Sequence, residues 1–103
     1  MPSTGPKYDL KKIKKLLCSS ASYYITQEAY KNAVQMGYID EEAIIDVIEN
    51  MQEEDFYKSM TSDKIPGLWQ DVYRVKDMSN IIYIKLQISS DARKAVIIQF
   101  KEK

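Results

Sequence analysis

The chain contains no histidine among its 103 residues. Acid–base chemistry would therefore fall to lysine, tyrosine and carboxylates. Its single cysteine, Cys18, cannot close an internal disulfide or build a zinc site alone, and it has no imidazole to activate it. Serine and cysteine triads built on histidine, His-ligated metals and imidazole-type phosphodiester cleavage are all excluded. What remains is cationic and phenolic. Tyr83, Lys85, Gln99 and Lys101 fall at alternating positions in two β-branched, aromatic-rich runs, which places them together on one polar sheet face. Lysine and arginine attract phosphate, and a phenol can position it or supply a proton.

The net charge is zero but unevenly spread. Residues 1–39 carry +4, residues 40–55 carry −8 with no lysine or arginine, and residues 56–103 carry +4. A neutral protein patterned in this way can still present a basic face to a polyanion. The acidic stretch reads as a solvated helix surface that could also meet a basic partner.

The elements that must hold these residues follow from periodicity. A helix is expected over 8–17, with Asp9 as its N-cap, Leu10, Ile13, Leu16 and Leu17 on the apolar stripe, and four lysines on the other side. Tyr23, Tyr24 and Ile25 read as a short extended piece joining or packing on a sheet edge. Thr26 caps a second helix over 27–36, which Gly37 stops, and Asp40 caps a third over 41–50. Three strands follow, over 69–75, 81–89 and 95–101, as an antiparallel meander. Ile82, Ile84, Leu86 and Ile88 form the apolar face of the second strand. Val96, Ile98 and Phe100 are expected to do so in the third. Trp69 and Phe56 read as core. Helices first and strands after give an α+β domain, its N-terminal helices packed on one sheet face and its polar face open. Residues 1–7 read as a flexible lead-in to a single domain spanning 1–103. They lack the pattern of a secretory signal, and no apolar run approaches the ~18 residues of a membrane span, so a cytoplasmic home is expected.

Three segments carry more specific information: Asp55-Phe56-Tyr57-Lys58-Ser59-Met60-Thr61, then Trp69-Gln70-Asp71-Val72-Tyr73-Arg74, and the terminal Phe100-Lys101-Glu102-Lys103. Their combination and order resemble the MqsR family of toxins from bacterial type II toxin–antitoxin systems. The resemblance covers close to half the chain. Val75 stands where family members usually carry proline, and 62–67 is an unusual linker.

The resemblance implies a RelE-like fold. It also implies endonuclease activity on mRNA at short GC-containing sites, without ribosome, metal or cofactor, and growth arrest when the toxin is free. The partner it implies is an MqsA-type antitoxin with a zinc-bearing domain and a helix-turn-helix domain. The family's catalytic residues carry over onto Lys58, Gln70, Tyr83 and Lys101. Arg74, Lys85, Tyr57 and Tyr73 are the expected substrate-binding residues, the cations for phosphate and the tyrosines for stacking on an exposed base. In such a site either Lys58 or Lys101 accepts the proton of the attacking 2′-hydroxyl or stabilises the phosphorane, and the other lends fixed charge with Arg74. Tyr83 positions phosphate or donates a proton, and Gln70 orients the 2′-hydroxyl or a base edge. The alternative is a non-catalytic nucleic-acid-binding or regulatory module built on the same basic face.

Overall fold

The computed structural model describes residues 5–103. Three helices precede most of a five-stranded sheet: α1 (Leu10–Leu16), β1 (Tyr23–Ile25), α2 (Gln27–Gln35), α3 (Glu41–Glu49), β2 (Phe56–Thr61), β3 (Trp69–Asp77), β4 (Asn80–Ile88) and β5 (Ala95–Glu102). The spatial order is β1-β5-β4-β3-β2, with β1 parallel to β5 and every other neighbour antiparallel. The architecture is the expected α+β one and is consistent with a RelE-like toxin fold. No described helix is long and apolar enough to cross a membrane.

Each expected cap is made. Asp9 accepts from Lys11 N at 3.0 Å, Thr26 from Ala29 N at 3.1 Å and Asp40 from Ala43 N at 2.9 Å. These bonds satisfy amide groups that have no partner inside a helix. Gly37, at φ +98°, ends α2, with its own N–H on Val34 O and that of Tyr38 on Ala33 O. That pair of bonds needs a left-handed residue, which glycine supplies without strain.

One core joins the helices to one side of the sheet. Leu10, Ile13, Ala29, Ala33, Ile44 and Ile48 pack with Tyr73, Ile82, Ile84, Leu86, Ile97 and Phe100, all buried. Among the described residues no helix lies across the opposite sheet face. Val72 lies there, fully buried yet outside the core cluster. It sits in register between Lys58 and Lys85, whose aliphatic stems can shield it.

The structure corrects the sequence reading in three places. The meander has a further strand, because Phe56–Thr61 pairs along the outer edge of β3. Its sequence has too few apolar residues at period two to declare itself. In β5, Ile97 and Phe100 are buried while Ile98 is half-buried. A register shift opposite Lys85 and Leu86 inserts Ile98 as an extra residue, so strict alternation fails there. Finally, residues 5–7 are fastened rather than loose. Fully buried Asp71 accepts from Lys7 N at 3.0 Å, Tyr8 N at 2.9 Å and Ser59 Oγ at 2.5 Å, and Tyr8 Oη donates to Trp69 O at 2.6 Å. The first four residues of the expected lead-in lie outside the described residues.

Candidate active site on the open sheet face

The open face is ordered by register into rows that cross the strands. Arg74 on β3 lies opposite Tyr83 on β4, and Tyr83 opposite Lys101 on β5. The next row is Lys58, Val72, Lys85 and Gln99, from β2 to β5. A third begins with Met60 opposite Gln70, and Gln70 Nε2 donates to Gln87 Oε1 at 3.2 Å. Rows two residues apart are about 7 Å apart, and neighbouring strands about 4.8 Å. The four expected catalytic residues therefore lie on one face, spread over three rows and four strands.

A β-bulge binds the edge strand to this array. The register shifts between Phe56 and Lys58, which makes Tyr57 the extra residue. Phe56 turns inward, edge-on to Tyr73 at 5.7 Å, while Lys58 faces outward. A bulge lets two consecutive side chains lean toward one face. Tyr57 accordingly lies under the Arg74 guanidinium, whose carbon is 3.5 Å from the ring centroid, and the Lys58 ammonium is 5.3 Å from the same centroid. On the far side the Lys101 ammonium stands 5.2 Å from the Tyr83 ring. A continuous run of contacts and register pairs thus links Lys58, Tyr57, Arg74, Tyr83 and Lys101.

The electrostatics of the array are one-sided. Among the described residues no carboxylate forms an ion pair with Lys58, Arg74, Lys85 or Lys101, and the buried Arg74 Nε has no hydrogen-bond partner. Cation–π contact orients Arg74 without neutralising it. Burial raises the Tyr83 hydroxyl above its ordinary pKa of 10.0, and neighbouring Tyr57 adds to this, against a lowering by Arg74. Tyr83 is consequently a neutral phenol at physiological pH, suited to donating a proton or hydrogen bond and unsuited to accepting a proton.

Two residues depart from the sequence expectation. Tyr73, expected to stack on substrate, is fully buried with the core cluster. It shares the inward phase of Asp71 and Val75 rather than that of Arg74, so its ring cannot meet an RNA base. Gln99 is drawn away from the open array. It donates to Glu28 Oε2 and accepts from Asn32 Nδ2, both at 2.8 Å, and this fastens α2 to β5. Two contributors escaped the sequence reading. Asp71 was visible only as part of a motif, and its role as a buried acceptor needs partners more than sixty residues distant. Gln87 gave no signal beyond its outward phase.

The chain matches the family described as "Motility quorum-sensing regulator, toxin of MqsA" over residues 5–102. It is 35% identical to a protein of Escherichia coli (strain K12) named mRNA interferase toxin MqsR, with all of both chains covered. A match across nearly the whole chain, on a fold that brings the motif cations Lys58, Arg74 and Lys101 onto one face, places this protein in the MqsR toxin family.

Proposed function

We propose that this protein is a sequence-preferring endoribonuclease that cleaves mRNA as the toxin of a type II toxin–antitoxin pair. The observation that carries the reading is the row Arg74–Tyr83–Lys101, joined through Tyr57 to Lys58, with cations that no described carboxylate neutralises. The name of the Escherichia coli relative supports it.

In this reading the 2′-hydroxyl of the substrate attacks the adjacent phosphorus. Lys58 or Lys101 takes the hydroxyl proton as the new P–O bond forms. Arg74 and the remaining ammonium hold the charge that builds on the non-bridging oxygens. Tyr83 gives its proton to the departing 5′-oxygen as the P–O5′ bond breaks. The products are a 2′,3′-cyclic phosphate and a 5′-hydroxyl. Lys85 holds a neighbouring phosphate, and Gln70 contacts the nucleotide beside the cut. Ammonium and guanidinium groups attract phosphate and repel metal cations, and this reading assigns no step to a metal.

The antitoxin is of the MqsA type, a zinc and helix-turn-helix protein that neutralises the toxin by binding, and the site of action is the cytoplasm. The matched family's own description names MqsA. Free toxin arrests growth by removing message.

The test is incubation of the pure protein with a synthetic mRNA in EDTA. Fragments ending in a cyclic phosphate are expected. Lys58→Ala should slow cleavage on the order of 10²-fold. Binding without cleavage by the native protein would establish the non-catalytic alternative, and a Lys58→Ala variant at the parental rate would remove that lysine from the mechanism.

A further inference from the structure

The bulge in β2 puts an aromatic ring on the open face that the cleavage chemistry leaves without a task. Tyr57 is the extra residue between Phe56 and Lys58, 44% exposed, and the Arg74 guanidinium carbon lies 3.5 Å from the centre of its ring. Among the described residues that guanidinium makes no hydrogen bond or ion pair, and its buried Nε has no partner. We propose that Tyr57 is a positioning residue: Arg74 lies flat on its ring with the N–H edge turned to the scissile phosphate, and Tyr57 acts through Arg74 instead of stacking on an RNA base. The inference rests on the endoribonuclease reading and assigns Tyr57 to the cleavage step.

The contact distance dictates the orientation. Non-bonded carbons meet at about 3.5–4.0 Å. With its carbon already 3.5 Å from the ring centre, the guanidinium must lie nearly parallel to the ring, because standing on edge would drive a nitrogen inside contact distance. Flat stacking on aromatic faces is a property of the planar guanidinium. The ring is in turn held by the strand on both sides of it. Phe56 packs edge-on to buried Tyr73, and Lys58 pairs with Val72. A half-turn of the phenol about its own axis restores the same surface, so ring flipping leaves the stack as it was.

The placement matters because of what lies beside it. Arg74 faces Tyr83 across the strand pair, and the Tyr83 hydroxyl feels both neighbours, lowered by Arg74 and raised by Tyr57. The ring, the guanidinium and the phenol that gives up its proton therefore share one small region. Charge already in place when the phosphorane forms needs no reorganisation at that moment. A carboxylate could also hold Arg74 still, but it would cancel the charge. An aromatic face holds the guanidinium and leaves its charge intact. The same contact counts against base stacking, since the guanidinium occupies a ring face that a base would need, and the Lys58 ammonium stands 5.3 Å from the same ring centre.

The experiment is a double-mutant cycle read by single-turnover cleavage of a short RNA with one cut site, protein in excess, in EDTA. Far-UV circular dichroism checks the fold of each variant. Tyr57→Leu removes the aromatic face and should slow cleavage about tenfold. Tyr57→Thr, a residue at home in strands, repeats the removal independently. Tyr57→Phe restores the face without the hydroxyl and should recover most of the loss. Arg74→Leu should slow cleavage on the order of 10²-fold. In the Arg74→Leu background, Tyr57→Leu should add less than about twofold, because a residue that acts through Arg74 has nothing left to position.

Losses that multiply in the double variant would show Tyr57 meeting the RNA directly and would overturn the inference. So would a Tyr57→Leu or Tyr57→Thr protein at the native rate, a Tyr57→Phe protein as slow as Tyr57→Leu, or an Arg74→Leu protein that cleaves normally. Each of these leaves the nuclease reading intact. A native protein that leaves the RNA whole would overturn the nuclease reading itself.

Discussion

Asp71 and Tyr73 stand two residues apart on the inward side of β3, and polar groups there behave in opposite ways. Asp71 is fully buried and satisfied, with two backbone amides and a serine hydroxyl donating to it. Asp71→Ala would strand those donors, and each unsatisfied buried group costs about 1–3 kcal/mol. We expect a loss of about 3 kcal/mol or more in urea unfolding, together with faster proteolysis in the N-terminal segment that Asp71 fastens. The Tyr73 hydroxyl is buried with no hydrogen-bond partner among the described residues, and burial drives its pKa far above the ordinary 10.0. Removing an unsatisfied hydroxyl relieves a cost. Tyr73→Phe should therefore be neutral or stabilising by up to about 1 kcal/mol, and it should cleave RNA at the native rate. A large loss of activity would return Tyr73 to the substrate-binding set.

At the scale of elements, the site depends on two irregularities in otherwise regular strands. The bulge in β2 sends Tyr57 to the open face beside Lys58, and the extra residue in β5 resets the phase so that Phe100 points inward and Lys101 outward. Thr26 holds the second of these in place. Its hydroxyl donates to Ile98 O at 2.9 Å and accepts from Ala29 N, and its own amide donates to Ile97 O at 3.0 Å. The cap of α2 and the bulge of β5 thus share one side chain. Thr26→Val keeps the shape and the backbone amide but loses both hydroxyl bonds. It should destabilise the fold by about 1–2 kcal/mol in chemical denaturation. The denaturant slope should be unchanged, since the same surface is exposed on unfolding.

For the molecule as a whole, burial acts on several phenols at once. Burial is the main cause raising Tyr8, Tyr38, Tyr73 and Tyr83, and a hydrogen bond to Glu41 is the main cause for Tyr23. A raised pKa means that the folded state holds protons more tightly than the unfolded one. The corresponding stability is complete below the unfolded value of about 10 and is lost as pH rises beyond it toward the folded values. Stability should accordingly be nearly level just below pH 10 on this account and fall steeply above it. Tyrosinate absorbance near 295 nm should rise together with the loss of far-UV circular dichroism. Full phenolate absorbance reached while the fold persists would contradict the raised values.

The sequence by itself determined the local parts of this protein. Helix caps at Asp9, Thr26 and Asp40, the stop at Gly37 and the alternation in β4 depend on neighbours within a few residues, and each is legible because its physics is local. The motif around Lys58 and the two later motifs named a family and the candidate site residues that it implies. Only the tertiary structure decided how those side chains meet. Strand 56–61 exists because β3 offers it an edge, and Tyr73 points inward because the bulge and the core fix the phase of β3. The contacts of Tyr57 with Arg74 and of Gln70 with Gln87 join strands brought together by pairing. An extra residue in a strand carries no mark in composition or periodicity. It becomes visible only against the partner strand that it interrupts, so alternation placed Tyr83, Lys85 and Lys101 on one open face, whereas the addition of Tyr57 and Lys58 from the edge strand was not readable from the chain alone.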